Sequence, residues 1–490
     1  MDLDRKWRML IGGELVGAEG GAEYETRSPV TGELLTTVPA ATAADVDRAV
    51  TAAEAASASW RRVPPRERAA TLRAVAGLLR THRDELGRLD ALDGGNPVTA
   101  MTKDVDLACE QLELFADWAD RLGGQTHVSG PDHLHYTLRE PYGVVARIVP
   151  YNHPLMFAAG KLAAPLVAGN AVVLKAPDQT PLSALRLGEL VAELLPPGTV
   201  NVLTGHGASV GQALVAHPGV RRVAFTGSVA TGQAVLRGAA NAGIKAVTLE
   251  LGGKNPMLVL DDADVEAAGA GAVTGMNFHW TGGQSCGSTS WLLVHESIVD
   301  DVVARVVEGA RAVRVGDPLD PATEMGTMVT AAHRDRVAGY IAQGRAEGLR
   351  LACGGGAPDG PAAYVEPTVF VDVPPTSPLA REEIFGPVLS VTPFRRIADA
   401  VELVNRAPYG LTASVWTRDL ARAHHVARDV DAGYVWVNTA SRHFAGLPFG
   451  GVKDSGLGRE ESVEELRSFT QDKAVSVHIG PPERVYRGLE

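Results

Sequence analysis

From Val144 onward the chain alternates short apolar runs with amphipathic stretches, and this rhythm restricts the fold more than any other feature. Val144–Val149, Ala171–Lys175, Val200–Leu203 and Arg222–Thr226 read as strands. Between them, stretches from about Met156, from Ser183 to Leu195 and after Leu203 place apolar residues at helical spacing. Strands that lack polar alternation are buried on both faces, and the intervening helices supply the covers. The predicted fold class is α/β, a mostly parallel sheet wrapped by helices. A second series, from about Pro256 to Asp454, has Trp291–Val294, Val369–Val371 and Ser414–Trp416 as its clearest strands and reads as a second α/β domain.

Other segments lie outside this rhythm. Residues 8–16 and 22–38 alternate like short strands, and helical patterns follow from Ala43, from Pro64-Pro65 and through Leu107, Leu112, Phe115 and Trp118. Tyr136–Tyr142 reads as a strand or hairpin arm. Ala474–Val477 reads as an edge strand offered to another subunit. A chain of 490 residues has room for two or three domains. Its net charge of −12 argues against a nucleic-acid surface, which needs clustered basic residues. The most apolar stretch, Leu155–Leu174, is broken by Lys161, Pro165 and Asn170, so no membrane span is expected. Met1–Lys6 lacks a signal-peptide pattern. Three cysteines, none in a CxxC pair, and no HExxH segment leave no metal site in the reading. A protein that depends on one free thiolate is expected in the reducing cytoplasm.

Val223–Gly232 passes from a strand into a helix through Gly227 and Ser228. Gly227 permits a tight turn, and Ser228 with the first helical amides can face a pyrophosphate. An ordinary strand–turn–helix is the competing reading. Lys175 and Asp178 stand just past another strand, where ribose hydroxyls would be met; an acidic group there favours NAD over NADP, which Lys175 leaves open. A simple surface pair is the alternative for these two.

Cys286, in Gly283-Gln284-Ser285-Cys286, offers a thiol nucleophile, and Glu250, in Glu250-Leu251-Gly252-Gly253-Lys254, offers a carboxylate base. With Pro150-Tyr151-Asn152-His153-Pro154, Lys175–Pro181, Phe225-Thr226-Gly227-Ser228, Glu383-Ile384-Phe385-Gly386-Pro387 and Pro448–Gly456, these blocks stand in an order that resembles the aldehyde dehydrogenase superfamily over nearly the whole chain.

The resemblance implies roles residue by residue. Cys286 is the nucleophile that forms a thiohemiacetal and then a thioester. Asn152 is the oxyanion donor, and Glu250 the base that activates water for release of a free acid. Ile148, Pro150, Tyr151, Lys175, Asp178, Gly227, Ser228, Thr231, Leu251, Gly252, Glu383 and Phe385 are the expected cofactor contacts, with Glu383 on the nicotinamide ribose. Lys254 is similar to a family lysine near the active site. His153, Phe157, Gly160, Trp280, Arg442, His443 and Phe449 are expected to line the aldehyde tunnel. Gly160 falls where many relatives place a bulky residue, which should widen the mouth. Arg442 and His443, with His153, would form a polar or partly cationic wall suited to a bulky, polar or aromatic aldehyde; Arg442 pointing to solvent is the alternative.

The resemblance further implies a Rossmann-type NAD domain over 1–128 and 148–252, a catalytic domain over 253–454, and a β oligomerisation arm over 129–147 and 468–490. That arm makes a homodimer or homotetramer the expected assembly. Other readings are a betaine-type or semialdehyde dehydrogenase, a coenzyme-A-acylating dehydrogenase, and a binding protein without turnover. Intact Asn152, Glu250 and Cys286 argue against the last.

Overall fold

The computed structural model describes residues 3, 5–357 and 362–481. Its first sheet has eight strands, in the order Gly456–Leu457, Ala246–Glu250, Arg222–Thr226, Val144–Ile148, Ala171–Lys175, Val200–Leu203, Met9–Ile11 and Glu14–Val16. The five inner strands run parallel, and antiparallel strands close both ends. Alternate residues feed two cores: Val145, Val172, Leu174 and Val202 face one helical layer, while Val144, Ala146, Val173 and Val223 face the other. Two-sided burial is why these strands carry no polar alternation.

The second sheet has seven strands, in the order Arg350–Cys353, Thr368–Val371, Val388–Phe394, Trp291–His295, Pro256–Val259, Thr412–Trp416 and Tyr434–Val437; only Arg350–Cys353 is antiparallel to its neighbour. It too is packed on both faces. A third sheet joins Thr470–His478, His133–Pro141 and Thr126–His127. The helix Ala43–Trp60, covering the first sheet, opens with a capping box in which Thr42 and Asp45 each accept the other's backbone N–H.

The arm expected over 129–147 is shorter at its far end. Val144–Ile148 is a central strand of the large sheet, because its side chains are buried on both faces. The chain also returns to the first sheet after residue 454, through Gly456–Leu457. The expected helix from Met156 is two pieces, Pro154–Gly160 and Ala163–Val167. Residues 1, 2, 4, 358–361 and 482–490 of the expected divisions lie outside the described residues. Among the described residues no helix is long and apolar enough to cross a membrane.

Strand order reverses between Val144–Ile148 and Arg222–Thr226: the parallel strands after the first proceed to one side, and those after the second to the other. Connections leave in opposite directions at such a point, which opens a crevice at the carboxyl ends of the strands.

Candidate active site

A cavity of about 970 Å³ fills that crevice. Ile148, Pro150, Tyr151 and Asn152 line it from one strand end, and Gly227, Ser228 and Thr231 from the other. Lys175 and Asp178 lie along it, and Gly252, Glu383, Phe385, Phe157 and Cys286 line the rest. Leu251 is not on the wall; it packs beneath Gly232, where an added Cβ would sit 2.7 Å from Leu251 Cδ2. That close approach seats the helix Val229–Ala242 against the sheet. Ser228 caps this helix, its Oγ accepting from the Thr231 N–H at 3.3 Å. Ala230 and Thr231 of its first turn line the cavity, and a helix amino end is a setting suited to phosphate oxygens.

Lys175 and Asp178 pair with each other, and Asp178 also accepts the Gly207 N–H at 3.0 Å. Burial lowers the Lys175 ammonium pKa against the pull of that carboxylate. Glu383 reaches in from the second sheet's side and accepts the Gly253 N–H at 3.0 Å. A Cβ at Gly252 would lie 1.9 Å from Glu383 Oε2, so only glycine admits this carboxylate. Burial pushes Glu383 up to about 7. Phe385 holds φ = +58°, a left-handed conformation costly for an aromatic residue, and meets the Tyr151 ring edge-on at 5.9 Å.

Cys286 follows Gly282 and Gly283, both at positive φ; a Cβ on Gly283 would strike the Gly386 carbonyl at 2.5 Å. Asn255 Nδ2 donates to the Cys286 carbonyl at 2.6 Å and to that of Ser288 at 2.9 Å, which fixes the loop. The thiol is half-buried, and burial, with the charges of Glu383 and Glu250 adding, pushes it up to about 12. Asn152 is buried, its carbonyl held by Asn96 Nδ2 at 2.9 Å; among the described residues its carboxamide bonds no protein group. Glu250, at the end of its strand, is 4% exposed, and neither oxygen has a hydrogen-bond partner. Burial first, then the nearby Glu460 charge, drive its pKa well above the carboxylate range. Lys254 is likewise buried without a partner for Nζ, and burial brings it down to about 7.

A profile of the aldehyde dehydrogenase family matches residues 16–475. The chain belongs to the aldehyde dehydrogenase family. The enzyme is 46% identical over 489 residues to aldehyde dehydrogenase tropH of Talaromyces stipitatus, covering 97% of this chain and 93% of that one. It is 42% identical to a betaine aldehyde dehydrogenase of Cereibacter sphaeroides (97% and 98% covered) and to a phenylacetaldehyde dehydrogenase of Pseudomonas fluorescens (96% and 95%). The solved NAD+ complex of an aldehyde dehydrogenase from Bacillus cereus superposes with a TM-score of 0.94 at 40% identity, over 98% of both chains.

Within this dehydrogenase the expected tunnel residues divide. Phe157 lines the cavity, and His153 packs edge-on against it at 5.8 Å and against Trp280 at 6.1 Å. Phe449 is buried in a cluster with Tyr434, Trp436 and Cys286, and His443 stacks on it at 4.4 Å while pairing with Glu461 at 2.9 Å. Two expectations need correction. Gly160 does not widen the mouth: a Cβ there would meet Gln111 Oε1 at 2.0 Å, because the Gln111 carboxamide occupies the space. Arg442 is exposed and lies over Phe444 at 5.2 Å, while its carbonyl accepts from Trp436 Nε1, so its guanidinium keeps its water.

Several residues of the enzyme's site had no mark in the sequence. His333 and Arg336, on the helix Ala331–Ala346, line the cavity. His333 Nε2 bonds the Phe385 carbonyl at 2.7 Å, and Arg336 donates to the carbonyls of Glu383 and Ile384 at 2.9 and 2.7 Å. Beside Glu250, Arg147 donates to Glu460 and Glu465 at 2.8 and 2.7 Å, and Lys161 to Glu460 at 2.6 Å. Burial would raise Glu460, but Lys161 and Arg147 outweigh it and hold that carboxyl well below the usual range. No local signal marks them, because His333 and Arg336 meet the Glu383–Phe385 backbone only through tertiary packing.

Proposed function

We propose that this dehydrogenase oxidises a bulky, polar or aromatic aldehyde to its carboxylic acid, with NAD as oxidant and water as the second substrate. The observation that carries the reading is one crevice lined by Cys286, Asn152 and Glu383, with Glu250 buried and unpartnered at its sheet. The dinucleotide fit rests on the capped helix at Ser228, the Asp178 carboxylate and the Gly252–Glu383 contact that only glycine permits. Asp178 would hold the adenine ribose, and its charge favours NAD over a 2′-phosphorylated cofactor. Glu383 would hold the nicotinamide ribose, with Ile148, Pro150, Tyr151, Lys175 and Phe385 shaping the remaining walls.

At rest the Cys286 thiol holds its proton, being pushed up to about 12. A base must take that proton before sulfur attacks the carbonyl carbon. The ionised form of Glu250, whose proton affinity burial raises, is the group we assign to this task. Asn152 and the Cys286 backbone N–H donate to the oxygen as it gains charge in the thiohemiacetal. The cofactor, when bound, takes the hydride that leaves the substrate carbon. Glu250 passes the thiol's proton to solvent and, ionised again, deprotonates a water that attacks the thioester carbonyl; the Cys286 sulfur leaves as thiolate and the acid is freed.

The test is absorbance at 340 nm with NAD and an aldehyde panel, with acid measured in the absence of coenzyme A. Cys286→Ala should lose at least about 10³-fold in rate. Acid formed only when coenzyme A is supplied and hydrolysed would point to the acylating reaction instead. A quaternary-ammonium aldehyde is the second reading, favoured by the betaine aldehyde dehydrogenase relative and by the Trp280 and Phe157 rings. Lys103, already over the Trp280 ring at 4.5 Å, weighs against it. The three described cysteines are free, as suits the cytoplasm we assign.

A further inference from the structure

Asp104 stands on the helix Val98–Asp117, and its side chain has no exposure to solvent. Each of its oxygens accepts one hydrogen bond: Oδ2 faces His153 Nδ1 at 2.7 Å, and Oδ1 takes the Trp280 Nε1–H at 2.9 Å. Burying a carboxylate is costly unless its lone pairs are used. Here they are used to fix two side chains beside the cavity that reaches Cys286. His153 follows Asn152 directly, and its ring packs against Phe157 on the cavity wall.

The pairing also sets the imidazole's tautomer. An ionised carboxylate only accepts, so in the neutral ring the proton sits on Nδ1. Nε2 is then a bare acceptor. Among the described residues it has no protein partner, and the side chain is 13% exposed. A hydrocarbon tail packed there would leave this acceptor unsatisfied, whereas a hydroxyl would bond it. The edge-on rings of Phe157 and Trp280 supply the apolar surroundings for an aromatic tail.

We propose that Asp104 is a positioning residue that makes His153 Nε2 a hydrogen-bond acceptor for a hydroxyl on the aldehyde's aromatic tail. This rests on the aldehyde-oxidising reading above and narrows its substrate class to hydroxylated aromatic aldehydes. Sites built around a substrate hydroxyl discriminate strongly against analogues that lack it.

The experiment measures binding by calorimetry to the NAD+-loaded Cys286→Ala protein, at pH about 8.5. The ligands are phenylacetaldehydes with a para hydroxyl, methyl, methoxy or ethyl group, forming two pairs of similar size. Hydroxyl should beat methyl by at least about tenfold, a modest value for a buried hydrogen bond, while methoxy and ethyl bind alike because an ether has no proton to give. Adding His153→Phe should bring both ratios to about one. Adding Asp104→Asn gives a sharper outcome. Trp280 can only donate, so the amide oxygen must face it and the amide NH2 must face His153 Nδ1. The ring proton then moves to Nε2, and methoxy should gain on ethyl by severalfold. A merely structural role for Asp104 would weaken all four ligands together. A hydroxyl-to-methyl ratio near one, or one that survives His153→Phe, overturns the proposal, as does a methoxy preference already present before Asp104 is changed. Turnover of the same aldehydes by the unaltered enzyme separately decides the reading of the reaction, since the binding ratios stand without it.

Discussion

Glu250 has both oxygens buried without a hydrogen-bond partner, an arrangement that costs stability and is kept where chemistry uses it. Because its folded pKa is raised, the protonated carboxyl is the form the fold prefers. That contribution is complete below the ordinary carboxylate range and is lost as pH rises through the raised value. Glu250→Gln keeps a neutral group at all pH values. Its melting temperature relative to the unaltered enzyme should therefore climb as pH rises, while acid formation falls by at least about 10²-fold. A melting difference that is flat in pH would remove the raised pKa from the account. At this scale the sequence was legible where a residue sits in a short, distinctive neighbourhood, as with Cys286 and Glu250. It was silent on Glu460, 313 residues from the Arg147 it pairs with, and on Asp104, which meets Trp280 across 176 residues. Such meetings are made by tertiary packing and leave no local spacing. Gly160 shows the same limit: a missing side chain reads as open space until the neighbour that fills it, Gln111, is located.

At the scale of elements, the helix Val229–Ala242 connects fold and binding most directly. Its amino end is capped by Ser228, and its first turns are drawn to the sheet by Gly232 over Leu251. Gly232→Ala places a methyl 2.7 Å from Leu251 Cδ2, so helix or leucine must shift by several tenths of an ångström. We expect a loss of about 1–3 kcal/mol in stability, read by denaturant titration, and weaker NAD affinity, read by quenching of tryptophan fluorescence. Ser228→Ala should cost only the cap, about 1 kcal/mol. Unchanged NAD affinity in Gly232→Ala would mean the helix position does not govern the cofactor. Four of the five inner strands of the first sheet and three strands of the second were readable from the sequence because two-sided burial leaves uninterrupted apolar runs, whereas Ala246–Glu250, Val388–Phe394 and Tyr434–Val437 were not singled out. The arm's inner boundary was misplaced because Val144–Ile148 directly follows the arm strand His133–Pro141, with Tyr142 and Gly143 between them. The pattern itself separates Tyr136–Tyr142 from the apolar run starting at Val144; the boundary at 147, taken from the family resemblance, cut through that run.

At the scale of the molecule, the three-stranded arm sheet carries exposed Leu134 and Leu138, and Thr470–His478 forms its edge. An apolar sheet face with an open edge invites a second copy. We propose that this sheet joins copies of the chain, as a homodimer or homotetramer would require. Leu134→Glu with Leu138→Glu should lower the assembled mass in sedimentation equilibrium, and an unchanged mass would place the interface elsewhere. Leu134 and Leu138 are exposed and belong to neither large core, so the double change tests assembly with little disturbance of either.

The return of the chain to the first sheet through Gly456–Leu457, with Glu460 and Glu465 on Arg147, bears on how the protein is born. A ribosome adds roughly 5–20 residues per second, so Arg147 emerges tens of seconds before its carboxylates exist. A native-like cofactor unit formed in that interval would bury Arg147 and Lys161 without their counterions and leave the edge strand Ala246–Glu250 uncovered. We expect folding of this unit to finish only late in translation, and a chain truncated before Gly456 to be cut faster than the full chain in limited proteolysis.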